Sequence, residues 1–202
     1  MSSPAPVAPA ADSAGAAPLL VLGWGNRSRG DDALGPMLVE RLRAALGDAA
    51  GVECLDDYQL QVELALDLVG RRAVLLVDAS LSSPPPFTAT ALQPARDASY
   101  SSHAMSPRSL LQAYRDVVGQ DPPPCTLLAI RGERCQLGEP PGLAALANLE
   151  AALAWALAWV RRGGLVGAQC APPASAAARP CGGRGRANHS SSSNSRNSPD
   201  EA

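Results

Sequence analysis

Apolar positions along this chain fall into short unbroken runs separated by stretches that are apolar only at every third or fourth residue. Pro18 to Gly23 is such a run, closed by a glycine, and predicts a buried strand. Met37, Leu38, Leu42, Ala45 and Leu46 then recur at helical spacing, with Pro36 tolerated because it falls in the first turn. Val52 to Leu55 predicts a second strand, Val62 to Val69 a short helix, and Ala73 to Val77 a third, β-branched and apolar strand. Phe87 to Leu92 and Thr126 to Ile130 predict two more strands. Between them lies a helix over Ser106–Val118, with Ser106 as cap and Pro107 at its first position. Leu146, Leu149, Leu153, Ala156, Leu157 and Val160 make the apolar stripe of a last helix, on which Trp155 and Trp159 stand one turn apart. Strands separated by helices imply an α/β domain whose sheet is mostly parallel and joined by right-handed crossovers.

The last helix admits a second reading as a membrane span. Asn148 and Glu150 interrupt it and leave it short of the roughly 18 to 20 apolar residues a bilayer requires, so a packed core helix is the expectation. Residues 1–17, rich in Ala, Pro and Ser, lack a basic start and a long apolar stretch, and read as a disordered leader rather than a secretion signal. Residues 168–202 contain almost no large apolar side chain and read as a disordered tail, in which His189 is a solvated residue. That leaves one domain over residues 18–167.

Composition narrows the function classes. Among 202 residues, 17 basic side chains, all arginine, face 19 acidic ones for a net charge of -2, which is not the footprint of a nucleic-acid binder. None of the five cysteines forms a C-x-x-C pair, so neither a disulfide framework nor a thiolate zinc site is signalled. A cytoplasmic monomer, free of membrane and nucleic acid, is the expectation.

Three polar residues stand out: Asp32 in the turn after the first strand, Asp78 closing the third, and His103 in the polar segment before the Ser106 helix. In an open parallel sheet, ligands collect beyond the carboxyl ends of the strands, and all three can converge there. Two carboxylates and an imidazole suit a divalent ion and leave coordination positions open. Plainer readings exist: Asp31 or Asp32 also suits a helix cap, and a single loop histidine is commonly solvated. Asp78 is harder to explain without a partner, because a carboxylate after five apolar strand residues is costly to desolvate. Gly23-Trp-Gly25 resembles the start of a dinucleotide fingerprint, which keeps a Rossmann-type nucleotide-binding enzyme as a rival, although Ser28 stands where its third glycine belongs. No Gly-Lys-Ser/Thr or His-Glu-x-x-His motif occurs, which excludes a Walker phosphate loop and a zincin.

Val21-Leu-Gly-Trp-Gly-Asn26 with Asp31-Asp-Ala-Leu-Gly35, Leu75-Leu-Val-Asp-Ala79, and Ser102-His-Ala-Met-Ser-Pro107 resemble, in order and spacing, the signature blocks of the nickel-iron hydrogenase maturation endopeptidases (peptidase family M52). Asp56-Asp-Tyr-Gln-Leu-Gln61 with Leu64-Ala-Leu-Asp67, and Ile130-Arg-Gly-Glu133 with Leu137-Gly-Glu-Pro140, resemble the branch serving bidirectional, NAD-linked hydrogenases. The resemblance spans roughly residues 18 to 162. It implies a three-layer αβα sandwich and an endopeptidase that removes the C-terminal extension of a hydrogenase large-subunit precursor after nickel insertion. It also implies that Asp32, Asp78 and His103 contact the metal, nickel brought by the precursor, with zinc or another divalent ion as alternatives. Asp32 and Asp78 are the leading catalytic candidates; Asp31 and Asp56 are further ones, for orienting the site or activating water. Gly23, Gly25 and Asn26 are expected to shape the turn that presents Asp32. Whether the metal senses substrate or takes part in hydrolysis stays open, as does a non-enzymatic nickel chaperone. Trp24, Arg134-Cys-Gln136 and the tail depart from the family pattern.

Overall fold

The computed structural model describes residues 17–47, 51–96 and 105–165; the predicted leader and tail, and His103, lie outside the described residues. In chain order the elements are β1 (Leu19–Trp24), a 3-10 turn (Gly30–Ala33), α1 (Leu34–Leu46), β2 (Val52–Asp57), a 3-10 segment (Val62–Leu68), β3 (Ala73–Ser80), β4 (Phe87–Ala91), α2 (Pro107–Val118), β5 (Cys125–Arg131) and α3 (Leu143–Arg161). The expected strands and helices are all present, with three refinements. The Val62 helix is a 3-10 helix, whose three-residue repeat turns Ala65 and Leu68 together into the core. α1 starts three residues before Met37, so Pro36 falls at its third position. β3 runs on to Ser80, so Asp78 lies inside the strand instead of closing it.

The sheet order is β2-β1-β3-β5-β4, parallel throughout except for β4, which pairs antiparallel with β5 at one edge. All six β1 residues are buried, as a central strand covered on both faces must be. Alternate side chains feed two cores. Leu19, Val21, Leu75, Val77, Leu128 and Ile130 pack with α1 and α3 on one face. Leu20, Leu22, Trp24, Val74 and Leu76 pack with α2 and the 3-10 segment on the other. The result is the three-layer αβα sandwich.

Two local devices hold the layers in place. Ser106 caps α2 as expected: its Oγ accepts from the Ser109 N–H at 3.1 Å, with Pro107 at the first helical position. On the opposite face α1 lies so close to the sheet that a Cβ on Gly35 would stand 2.4 Å from the Trp24 carbonyl oxygen and 2.8 Å from that of Val77. Backbone cannot yield as a flexible side chain can. Gly35→Ala is therefore expected to cost about 2–3 kcal/mol, read as a lower urea midpoint at unchanged slope.

α3 has the length and apolarity of a membrane span. One side of it is nevertheless committed to the sheet: Ala145, Leu149, Ala152, Trp155, Ala156 and Trp159 are buried, and Trp155 meets Phe87 with ring centroids 6.0 Å apart. A core helix accounts for its composition.

Candidate functional site

The strand order reverses between β1 and β3. The chain leaves β1 through α1 to reach β2 on one side, then crosses through the Val62–Leu68 segment to β3 on the other. Such a switch point opens a crevice at the carboxyl ends of the strands. Here the ladder joining β1 to β3 ends at Gly23–Val77, while β3 continues paired with β5 from Asp78 to Ser80. Asp78 is thus the first β3 residue beyond the split. By strand alternation it shares a face with Val74 and Leu76, and no cation stands within ion-pair distance of it among the described residues. Burial pushes its carboxyl up to about 7; the Ala79 N–H opposes the shift, and the negative charge of Asp32 adds to it.

Asp32 reaches the same crevice from the 3-10 turn. Its Oδ2 accepts the Asn26 N–H at 2.9 Å, closing the loop that leaves β1. Asn26 braces that loop further: its Oδ1 accepts the Ser28 N–H and its Nδ2 donates to the Tyr58 hydroxyl, both at 2.9 Å. Gly25 is required where it stands, at φ +140°, because any Cβ there would come within 2.0 Å of the Asp32 carbonyl oxygen. This packing also answers the nucleotide rival. Where a dinucleotide would lay its pyrophosphate, the turn presents two aspartates and fills its own N–H positions.

Asp31, expected as a further catalytic candidate, has another task. It is 1% exposed, and its carboxylate accepts three backbone N–H groups, from Glu133 (2.6 Å), Arg134 (2.9 Å) and Gly142 (2.8 Å). Burial alone would raise its pKa, but these three donors outweigh it and hold the carboxyl below its ordinary value. A carboxylate saturated in this way orients the site and is poorly placed to activate water. Asp56 is likewise engaged, between Arg27 (3.0 Å) and Arg43 (3.4 Å), and Arg27 goes on to Glu40 (2.7 Å). It ties the end of β2 to α1 and the β1 loop.

His103 lies outside the described residues. Among the described residues no group of three or more His, Cys, Asp or Glu side chains is arranged to hold an ion, so the structure brings two of the three expected ligands together. Met105, two positions further along the chain, packs against the sheet face that carries Asp78. Sequence reasoning missed Cys135. Burial raises its thiol pKa, and the charges of Asp32 and Asp31 raise it further, so it stands beside the acidic pair as a neutral thiol. Only its departure from the family pattern marked it in the sequence. Trp24, the other departure, fills the second core with Leu22 and Leu60.

No family profile and no curated protein sequence matches the chain. Solved structures do. The hydrogenase maturating endopeptidase HybD from E. coli superposes with a TM-score of 0.57 at 28% identity, over 72% of this chain and 93% of that one. An endopeptidase from Escherichia coli solved in solution gives 0.55 at 28% identity, over 73% and 94%. Both are endopeptidases, and the chain resembles them in fold and in over a quarter of its aligned residues. The [NiFe] hydrogenase maturation protease HycI from Thermococcus kodakarensis shares the fold, with a TM-score of 0.56 at 21% identity over 73% and 95%. In this chain the sheet switch point carries Asp32 and Asp78, and the loops around it are pinned by Asp31, Asn26 and Asp56.

Proposed function

We propose that this protein is an endopeptidase that removes the C-terminal extension from a nickel-iron hydrogenase large-subunit precursor once nickel is in place. The observation that carries this reading is a pair of carboxylates, without cation partners among the described residues, at the switch point of a fold like that of the hydrogenase maturation endopeptidases. Burial and the charge of Asp32 push Asp78 towards its protonated form, and Asp32 Oδ1 accepts no hydrogen bond among the described residues. That is the donor chemistry a divalent cation satisfies. In this reading Asp32, Asp78 and His103 hold the nickel that arrives inside the precursor. His103 is tethered by two residues, a reach of about 7 Å, to the anchored Met105. Nickel bound there polarises a carbonyl or acidifies water.

The chain's own residues supply the remainder. Asp32 is held by the Asn26 N–H through one oxygen, which leaves the other for a ligand. Asp78 gives up its proton when a cation arrives, which makes a productive site conditional on loaded substrate. Asp31 keeps the loop after β5 against the turn that bears Asp32. The resemblance of Asp56–Gln61 and Ile130–Glu133 to the NAD-linked branch supports a bidirectional hydrogenase as substrate source. The free thiols of Cys54, Cys125 and Cys135 suit a reducing cytoplasm.

The test is to mix purified protein with nickel-loaded and nickel-free large-subunit precursor and follow the shortening by mass spectrometry. Only the loaded form should be cut, and Asp32→Asn and His103→Ala should each slow cutting at least 100-fold while remaining folded. Tight nickel binding with no cleavage of either form would point to a nickel chaperone instead.

A further inference from the structure

We propose that Arg29 and Arg134 form an anion-binding rim beside the acidic pair and hold an acidic residue of the extension that is cut away; this rests on the endopeptidase reading above. The placement comes from the backbone. The Asp32 N–H donates to the Arg29 carbonyl at 3.2 Å, one 3-10 repeat, which sets residues 29 and 32 on the same side of the turn. Arg29 Nε donates to the Cys135 carbonyl at 2.9 Å, leaving both terminal amino groups without a partner among the described residues. Arg134 is fixed at its backbone, its N–H on Asp31 Oδ2 and its carbonyl on the Asp31 N–H at 2.8 Å, while its guanidinium is exposed, makes no hydrogen bond or ion pair among the described residues, and acts on Asp31 only through its charge.

Arg27, Arg41, Arg43, Arg71, Arg96 and Arg115 are ion-paired, and Arg131 is spent on the Leu81 and Ser83 carbonyls. At the rim the nearest carboxylate, Asp31, is saturated by N–H donors. Glu133 and Glu139 are exposed on the same loop and form no ion pair with either arginine among the described residues. The loop that carries Arg134 is rigid as well as charged. Besides the three bonds to Asp31, the Gly30 N–H meets the Glu139 carbonyl at 3.0 Å and the Gly138 N–H meets that of Ser28 at 2.7 Å. Two guanidinium forks suit a carboxylate, and fixing the Arg29 fork on Cys135 and the Arg134 backbone on Asp31 lowers the entropy cost of binding. They also counter the repulsion that an acidic peptide would meet from Asp32. Leu137, 76% exposed on the same loop, offers the neighbouring peptide residue an apolar contact.

The experiment is steady-state cleavage of nickel-loaded precursor by wild type, Arg134→Gln, the double variant Arg29→Gln/Arg134→Gln, and Arg161→Gln. The last is a control at the opposite, amino ends of the strands, where the turn after α3 meets Leu19 and Ala73. KM should rise about tenfold in Arg134→Gln and further in the double variant, with kcat within about twofold and the control unchanged. Arg134→Lys should recover part of the loss. Replacing the acidic residues of the extension by their amides should raise KM for wild type but not for the double variant. An unchanged KM in Arg134→Gln and the double variant, or a fall in kcat without a change in KM, overturns the proposal while the endopeptidase reading stands. Should the double variant fail to fold, Arg134→Gln decides alone, because its side chain has no hydrogen bond or ion pair among the described residues to lose. No cleavage by wild type would remove the endopeptidase reading itself, and the proposal with it.

Discussion

Asp78→Asn is expected to stop precursor cleavage and at the same time to make the protein more stable at pH 8. The carboxyl has an ordinary pKa of 3.8 and one of about 7 in the fold. Because the folded value is raised, the unfolded chain releases this proton first. The stability that goes with the neutral form is complete below the unfolded value and is lost as pH rises from about 4 to about 7. The shift of about 3 units corresponds to about 4 kcal/mol; partial solvent access makes about 2–4 kcal/mol the expected gain in the variant at pH 8. At pH 4 the two proteins should differ little. Urea unfolding at both pH values, without added metal, checks this. Equal stability at pH 8 would mean that Asp78 is not under the strain described. Cleavage by the variant should fall at least 1000-fold, because an amide can neither shed a proton nor answer a cation with charge. Gaining stability while losing activity is the mark of a residue held in place for function.

Asp31→Ala is expected to do the reverse, and by an effect of similar size. It leaves three backbone N–H groups of the loop after β5 without the acceptor that all three share. Each bond to a charged acceptor is worth about 1.5–3 kcal/mol and the three are not additive, so a loss of about 3–5 kcal/mol is expected at pH 7. Since Asp31 has a depressed pKa, its contribution is present above the ordinary carboxylate value and lost as pH falls through the folded one. The gap between wild type and variant should therefore close in acid. Hydrogen exchange should show Glu133, Arg134 and Gly142 losing protection ahead of the β1 core. Adjacent aspartates thus separate cleanly: substitution at 31 is read in stability, at 32 in turnover. If Asp31→Ala unfolds at the same urea concentration as wild type, the clamp has been misjudged.

The element pattern was legible because each signal was local. The run before Gly23 could only be a strand covered on both faces, and Ser106-Pro107 carried both a cap and a first-turn proline. Two features were not local. β4 follows β3 in the chain but pairs with β5, and nothing within Phe87–Ala91 announces an antiparallel edge. Asp78 falls inside β3 because Ala79 and Ser80 keep pairing with β5 after β1 has ended.

The site divides in the same way. Sequence by itself determined which residues are candidates for the chemistry: a carboxylate after an apolar strand, a second one opening the next helix, and a histidine before a capped one are marked by residue type and spacing. Tertiary structure alone decided what each acid is free to do. Asp31 and Asp32 are indistinguishable along the chain, yet one is consumed by N–H groups from residues about a hundred positions away and the other keeps an oxygen open. Asp56 is spent on Arg27 and Arg43. A carboxylate's pKa and reactivity depend on what surrounds it in space, and only the folded chain supplies those surroundings.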